Sequence, residues 1–162
     1  MNYYAGIGSR KTPPEICDLM TRLATKLEQL GYILRSGGAE GADKAFESGV
    51  TYPTHKEIFL AKDSTPKSEE VASTIHPAWD KCSPYVKKLH GRNIFQVLGR
   101  NLDSPVEFVI CWTPNSQDVG GTRTAVVLAR QKGIPVYNLA DEGQLNKLLG
   151  LLGGHKDAPS RA

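Results

Sequence analysis

The stretch Arg35-Ser36-Gly37-Gly38-Ala39-Glu40-Gly41-Ala42-Asp43 limits most sharply what this chain can fold into. It lies between an apolar run, Tyr32 to Leu34, and a helix-like run, Ala42 to Ser48. Strand, glycine turn and helix in that order leave unpaired backbone N–H groups pointing at an anion, with the positive end of the helix dipole behind them. Glycines at 37, 38 and 41 carry a conformational entropy cost that a plain strand-to-helix link does not require, and close approach of the backbone to a ligand explains it. The stretch predicts a phosphate cradle.

Two further junctions follow apolar runs in the same way: Gly6-Ile7-Gly8-Ser9-Arg10 and Gly120-Gly121-Thr122-Arg123-Thr124. Strands are expected at Tyr3 to Ile7, Tyr32 to Leu34, Glu57 to Ala61, Val106 to Trp112 and Ile134 to Tyr137, each rich in β-branched or aromatic residues. Between the first two, Ile16, Leu19, Met20, Leu23, Ala24, Leu27 and Leu30 recur at helical spacing, with Thr12 as the expected N-cap and Gly31 as the stop. A second long helix is expected from Pro84 to Leu98, weakened at Gly91 by about 1 kcal/mol relative to alanine. Strands alternating with helices predict an α/β, Rossmann-like doubly wound parallel sheet of about five strands in the order 3-2-1-4-5, with helices on both faces. In that order all three glycine junctions share the carboxyl edge of the sheet near the switch between the first and fourth strands, where ligands bind. One domain is expected over residues 1–152, with an irregular insertion at 62–84 that holds a short helix from Glu69 to Ile75, and a flexible tail at 153–162.

The candidate ligand-binding residues follow from the three loops. The first offers Gly6, Gly8, Ser9 and Arg10, the last suited to bidentate phosphate contact. It lacks the third glycine of the dinucleotide fingerprint, so an NAD site is not expected. The second offers Ser36, Gly37, Gly38, Ala39, Glu40, Gly41 and Asp43. Asp43 either accepts from a ribose hydroxyl or favours the helix N-terminus, and Glu40 is the carboxylate inside the turn. The third offers Gly120, Gly121, Thr122 and Thr124, while Trp112 and Thr113 at the end of the fourth strand are placed to stack a ring or to pack as core. Arg92 and Asn93 interrupt an apolar helix and suit an anionic partner if they face inward.

Composition narrows the class of function. A formal charge of +3 over 162 residues does not argue for a duplex-DNA binder. Cys17, Cys82 and Cys111 show no metal-ligand spacing to the four scattered histidines and read as free thiols; no metal and no cofactor are expected. No run is long or apolar enough to span a membrane, and a soluble, cytoplasmic protein is expected. The apolar face from Leu145 to Leu151 favours a homo-oligomer.

Gly8-Ser9-Arg10, then Leu34-Arg35-Ser36-Gly37-Gly38-Ala39-Glu40-Gly41-Ala42-Asp43 with Ala45-Phe46, then Gly120-Gly121-Thr122 and Ile134-Pro135-Val136, resemble the Rossmann core of DNA-processing protein A (DprA/Smf). The wording is also similar to the wider SLOG superfamily, which includes the LOG cytokinin-activating phosphoribohydrolases, and to stand-alone phage-encoded DprA-like proteins, which carry the Arg92-Asn93 pair. The LOG resemblance implies an N-glycosidase in which Arg92 matches a catalytic arginine. The family's glutamate has no counterpart in Ala125-Val126-Val127-Leu128, which leaves Glu40, Asp43 and Arg92 as candidate catalytic residues. The DprA resemblance implies single-stranded DNA as partner. The reading the residues favour is recognition or sequestration of a nucleotide or nucleotide-derived small molecule, ADP-ribose-like or a cyclic nucleotide, with glycosidic cleavage and single-stranded DNA binding as alternatives.

Overall fold

In the computed structural model, which describes residues 2–118 and 120–153, five parallel strands form one sheet in the order β3-β2-β1-β4-β5. The strands are β1 (Asn2–Gly6), β2 (Tyr32–Ser36), β3 (Lys56–Ile58), β4 (Val109–Cys111) and β5 (Val136–Asn138). The helices between and after them are α1 (Pro14–Gln29), α2 (Ala42–Ser48), α3 (Pro66–Ser73), α4 (Pro84–Leu98), α5 (Arg123–Gln131) and α6 (Glu142–Gly153). This is the doubly wound α/β architecture expected from the alternation of apolar runs and helical stripes. β1 pairs with β2 from Asn2↔Tyr32 to Ala5↔Arg35, and with β4 at Ala5↔Val109 and Gly6↔Ile110, so the strand order reverses between β1 and β4. Paired backbone continues past the short β4: Ile7 N donates to Ile110 O at 3.0 Å and Ser9 N to Trp112 O at 3.0 Å. The carboxyl ends of the two central strands are thereby locked side by side.

Alternation along β1 divides the core. Tyr4 faces one side with Met20, Leu23 and Leu27 of α1, Phe46 of α2 and Leu148 and Leu152 of α6. Ala5 and Ile7 face the other with Ile94, Val97 and Leu98 of α4 and Ala125, Val126 and Leu128 of α5. Both faces are covered, as an all-parallel sheet requires. The apolar face of α6 is therefore largely spent on the core, leaving Leu151 half exposed.

Some local expectations are revised. Thr12 does not cap α1; that position falls to Pro13, and the Thr12 hydroxyl donates to Ser9 O at 2.7 Å. The third strand spans Lys56 to Ile58 rather than reaching Ala61: Phe59 N still donates to Ser36 O at 2.9 Å, with the Phe59 ring against Phe95, and the chain then turns into a 3-10 helix at Ala61–Asp63. Within residues 62–84, α3 is regular, capped by Thr65, and buries Ala72 and the following Ile75 in the same core cluster as α4. The chain at 154–162 lies outside the described residues.

Candidate functional site

A cleft of about 530 Å³ opens at the carboxyl edge of the sheet over the β1/β4 switch. Gly8, Ser9, Arg10 and Lys11 form one wall, Ala39 and Asp43 a second, and Gly120, Gly121 and Thr122 a third. The fourth wall is α4, which contributes Val86, Leu89, His90, Arg92, Asn93 and Gln96.

The first two loops are built against each other. Ser9 O accepts from Ala42 N at 3.3 Å as well as from the Thr12 hydroxyl, and the Ser9 hydroxyl accepts from Lys11 N at 2.9 Å. Gly41 has φ +84° and its Cα lies so close to the first loop that a Cβ would come within 2.7 Å of Ser9 O and 2.8 Å of Arg10 Cα. No side chain fits there. Arg10 and Lys11 stay exposed at the mouth.

Beneath the second loop sits a buried charged pair. Asp43 is 4% exposed; its Oδ2 accepts from Ala39 N at 3.3 Å, whereas Oδ1 is buried without a hydrogen bond. Burial pushes its pKa up to about 6, opposed by the Arg92 guanidinium and by the backbone N–H groups of Ala39, Gly37 and Gly8. Arg92 in turn donates from Nη1 to Gly37 O at 2.8 Å and to Phe59 O at 3.0 Å. Burial lowers the arginine's pKa, with Asp43 acting against that shift. A Cβ on Gly37 would run into Arg92 Nη1, Gln96 Nε2 and Asp43 Oδ2, so the glycine is what admits this polar cluster under the loop.

The third loop is also held from α4. Asn93 Nδ2 donates to Gly121 O at 2.6 Å, and His90 Nδ1 lies 2.8 Å from the Thr124 hydroxyl. Arg123 points out of the cleft, donating to Ile75 O at 3.2 Å. α4 is thus the frame on which the second and third loops are hung. Its buried Arg92 and Asn93 satisfy backbone carbonyls of these turns.

The structure brings Gly8, Ser9, Arg10, Ala39, Asp43, Arg92, Asn93, Gly120, Gly121 and Thr122 together around the cleft. Gly6 lies at the end of β1, where a Cβ would meet the Phe46 ring at 2.6 Å, and Ser36 donates to Gly6 O at 2.6 Å. Gly37, Gly38 and Gly41 shape the second loop from behind, and Glu40 is exposed beside it, off the lining. Trp112 packs against the first core cluster, Thr113 accepts from Asn138 Nδ2 at 2.7 Å, and Thr124 is fully buried beside His90. Asp43 is the carboxylate of the lining among the described residues.

Sequence reasoning missed Lys11, Val86, Leu89, His90 and Gln96. Apart from Lys11, which extends the first loop by one residue, they share a three- and four-residue spacing with Asn93, the signature of a single helix face. It also missed a proximity: Cys82 Sγ lies 3.7 Å from His76 Nε2.

Fold and site together define a doubly wound α/β domain with a glycine-loop pocket at its topological switch. No family model matches the chain, and no curated protein matches it in sequence. Among solved structures, it is similar to DNA processing protein A from Helicobacter pylori, studied for its single-stranded DNA binding mode. That likeness has a TM-score of 0.58 at 18% identity, over 83% of this chain and 63% of the other. The chain therefore spans less than two thirds of that protein's length, and at this identity the likeness is one of fold. No helix among the described residues is long and apolar enough to cross a membrane.

Proposed function

We propose that the chain binds single-stranded DNA, seating a phosphodiester and its nucleotide in the cleft between the three glycine loops. The observation that carries this reading is the convergence of Gly8-Ser9-Arg10-Lys11, Ala39 and Gly120-Gly121-Thr122 on one concave site at the N-terminal end of α5, where backbone N–H groups and helix dipole favour an anion. Arg10 and Lys11 at the mouth supply charge for the neighbouring phosphates. Tyr85, 61% exposed beside the lining residue Val86, supplies an aromatic face on which a base stacks. The fold neighbour is a single-stranded DNA binder, which favours a nucleotide within a strand over a free one.

A second reading keeps the same pocket and changes the form of the ligand to a free nucleotide or nucleotide-derived small molecule. Its support is the cleft's volume, within the roughly 300–1,000 Å³ usual for small-molecule sites, and the buried Asp43 and Arg92 at its floor.

Fluorescence anisotropy of labelled oligo-dT, with unlabelled mononucleotides as competitors, separates the two. The strand reading expects affinity that falls steeply with salt, weakening at least about tenfold between roughly 50 and 200 mM. Arg10→Ala and Lys11→Ala, both exposed, should weaken binding by about three- to tenfold each without changing the melting temperature. Mononucleotides should compete only at far higher concentration. No binding of oligo-dT, with stoichiometric binding of a mononucleotide, replaces the first reading by the second.

A further inference from the structure

Beside the cleft, and sharing its lining residue His90, three side chains from separate local elements meet. His76 follows the end of α3, Cys82 follows a 3-10 turn over Trp79–Lys81, and His90 lies in the middle of α4. One potential ligand atom from each residue falls in a set whose members are all within 4.8 Å of one another. Cys82 Sγ is 3.7 Å from His76 Nε2 and 3.9 Å from Nδ1, and the His76 and His90 ring centroids are 4.6 Å apart.

We propose that His76, Cys82 and His90 bind one divalent cation of the zinc class. A tetrahedral ion with one sulfur ligand at about 2.3 Å and two nitrogen ligands at about 2.0–2.1 Å holds those atoms at mutual separations of roughly 3.3–3.7 Å. The Cys82–His76 pair already sits at that spacing, and closing the rest of the triangle takes no more than side-chain adjustment. One thiolate and two imidazoles form a borderline-soft donor set that suits zinc and excludes magnesium or calcium, which take oxygen ligands.

The Thr124 contact favours a metal on His90 in particular. With its proton on Nδ1 the ring donates to the Thr124 hydroxyl at 2.8 Å, and Nε2 is left with its lone pair free. This is the outer partner by which ligating histidines are commonly oriented. Arg92 and Arg123 lie near this ring, and their positive charge opposes a bound cation as it opposes a proton. His76 is only half-buried, and its Nδ1 accepts from Ala78 N at 3.0 Å. Coordination through Nε2 moves its ring proton to Nδ1 and gives up that bond. Cys82 loses its thiol proton to solvent on binding, and its thiolate offsets the positive field of Arg92 and Arg123. Cys82 is half-buried, which gives the ion a way in. Three protein ligands leave the fourth position for water. The ion would tie the segment between α3 and α4 to the helix that carries Arg92 and Asn93.

The test is metal titration of the chelator-stripped protein with Zn²⁺ and with Co²⁺ as a spectroscopic substitute. The expected result is one equivalent bound, a melting temperature raised by Zn²⁺, and a Co²⁺ spectrum with thiolate charge-transfer absorption and the intense visible bands of tetrahedral coordination. Cys82→Ser should abolish the charge-transfer band and weaken binding at least about tenfold. His76→Ala should weaken binding likewise while leaving a thiolate band at saturation, and Cys17→Ser should change nothing. Circular dichroism of each stripped variant confirms that it folds. A folded wild type that takes up no stoichiometric Zn²⁺, or whose Co²⁺ spectrum is untouched by Cys82→Ser, overturns the proposal and leaves the cluster as a thiol held to Ala78 O beside two packed rings. Neither result bears on whether the cleft binds DNA.

Discussion

Asp43 concentrates the energetics of the site. Its carboxyl is buried with one oxygen unbonded, and the folded-state pKa of about 6 stands above the ordinary aspartate value of 3.8. The native state therefore holds a proton that the unfolded chain has already lost between those two pH values. Stability falls as pH rises from about 4 to about 6 and levels off above. Replacing the carboxylate by an amide removes the cost of burying charge, so Asp43→Asn should be more stable than the wild type at pH 7, by on the order of 2–3 kcal/mol. The advantage should shrink as pH falls and vanish below about pH 4. Urea denaturation of both proteins from pH 3.5 to pH 7.5 checks this, and parallel profiles would mean that Asp43 does not titrate between those limits. The sequence marked Asp43 through its place after the glycine turn. It could not mark the partner, because Arg92 is 49 positions away and its neighbour Asn93 serves a different loop.

At the scale of the element, α4 explains both what was legible and what was not. Its apolar residues Ile94, Val97 and Leu98 face the core, as their spacing predicted, yet His90, Arg92, Asn93 and Gln96 are buried as well. Periodicity treats polar residues as the exposed face. Here Arg92 and Asn93 are buried because they bond carbonyls of the glycine loops, and His90 because it meets Thr124 in the first turn of α5, contacts that become visible only once the loops are in place. Gly91 is the sharpest case. Helix propensity alone expects Gly91→Ala to stabilise by about 1 kcal/mol. In the structure a Cβ at this position would collide with the Ser64 hydroxyl and approach Glu69 Cγ to 2.8 Å and Ser68 Oγ to 3.1 Å, where α3 lies against α4. Overpacking of this kind costs about 1–3 kcal/mol. Gly91→Ala should therefore lower the denaturation midpoint in urea, and a raised midpoint would mean that the α3 contact yields easily.

For the whole molecule, topology was the most legible layer: apolar runs, glycine stops and a right-handed crossover rule are local or general, and they suffice for the order 3-2-1-4-5. Their consequence is that three loops distant in sequence meet over the β1/β4 switch, with a titrating carboxylate beneath them. A phosphodiester keeps one negative charge throughout pH 4–8, so its effect on Asp43 can be read without titration of the ligand itself. An anion held beside Asp43 opposes its ionisation, and by linkage the protonated form of the protein must bind the anion more tightly. Oligo-dT should thus raise the melting temperature more at pH 5.5 than at pH 7.5, and its affinity should fall as pH rises through about 6. In Asp43→Asn the two pH values should give the same affinity to within about twofold, at fixed ionic strength, because the neutral amide leaves nothing to titrate at that position. Binding that is equally tight at both pH values in the wild type would move the phosphate away from Asp43, toward Arg10 and Lys11 at the mouth. Tighter binding at the higher pH would place a donor of the base, thymine N3–H, rather than the phosphate, against the ionised carboxylate.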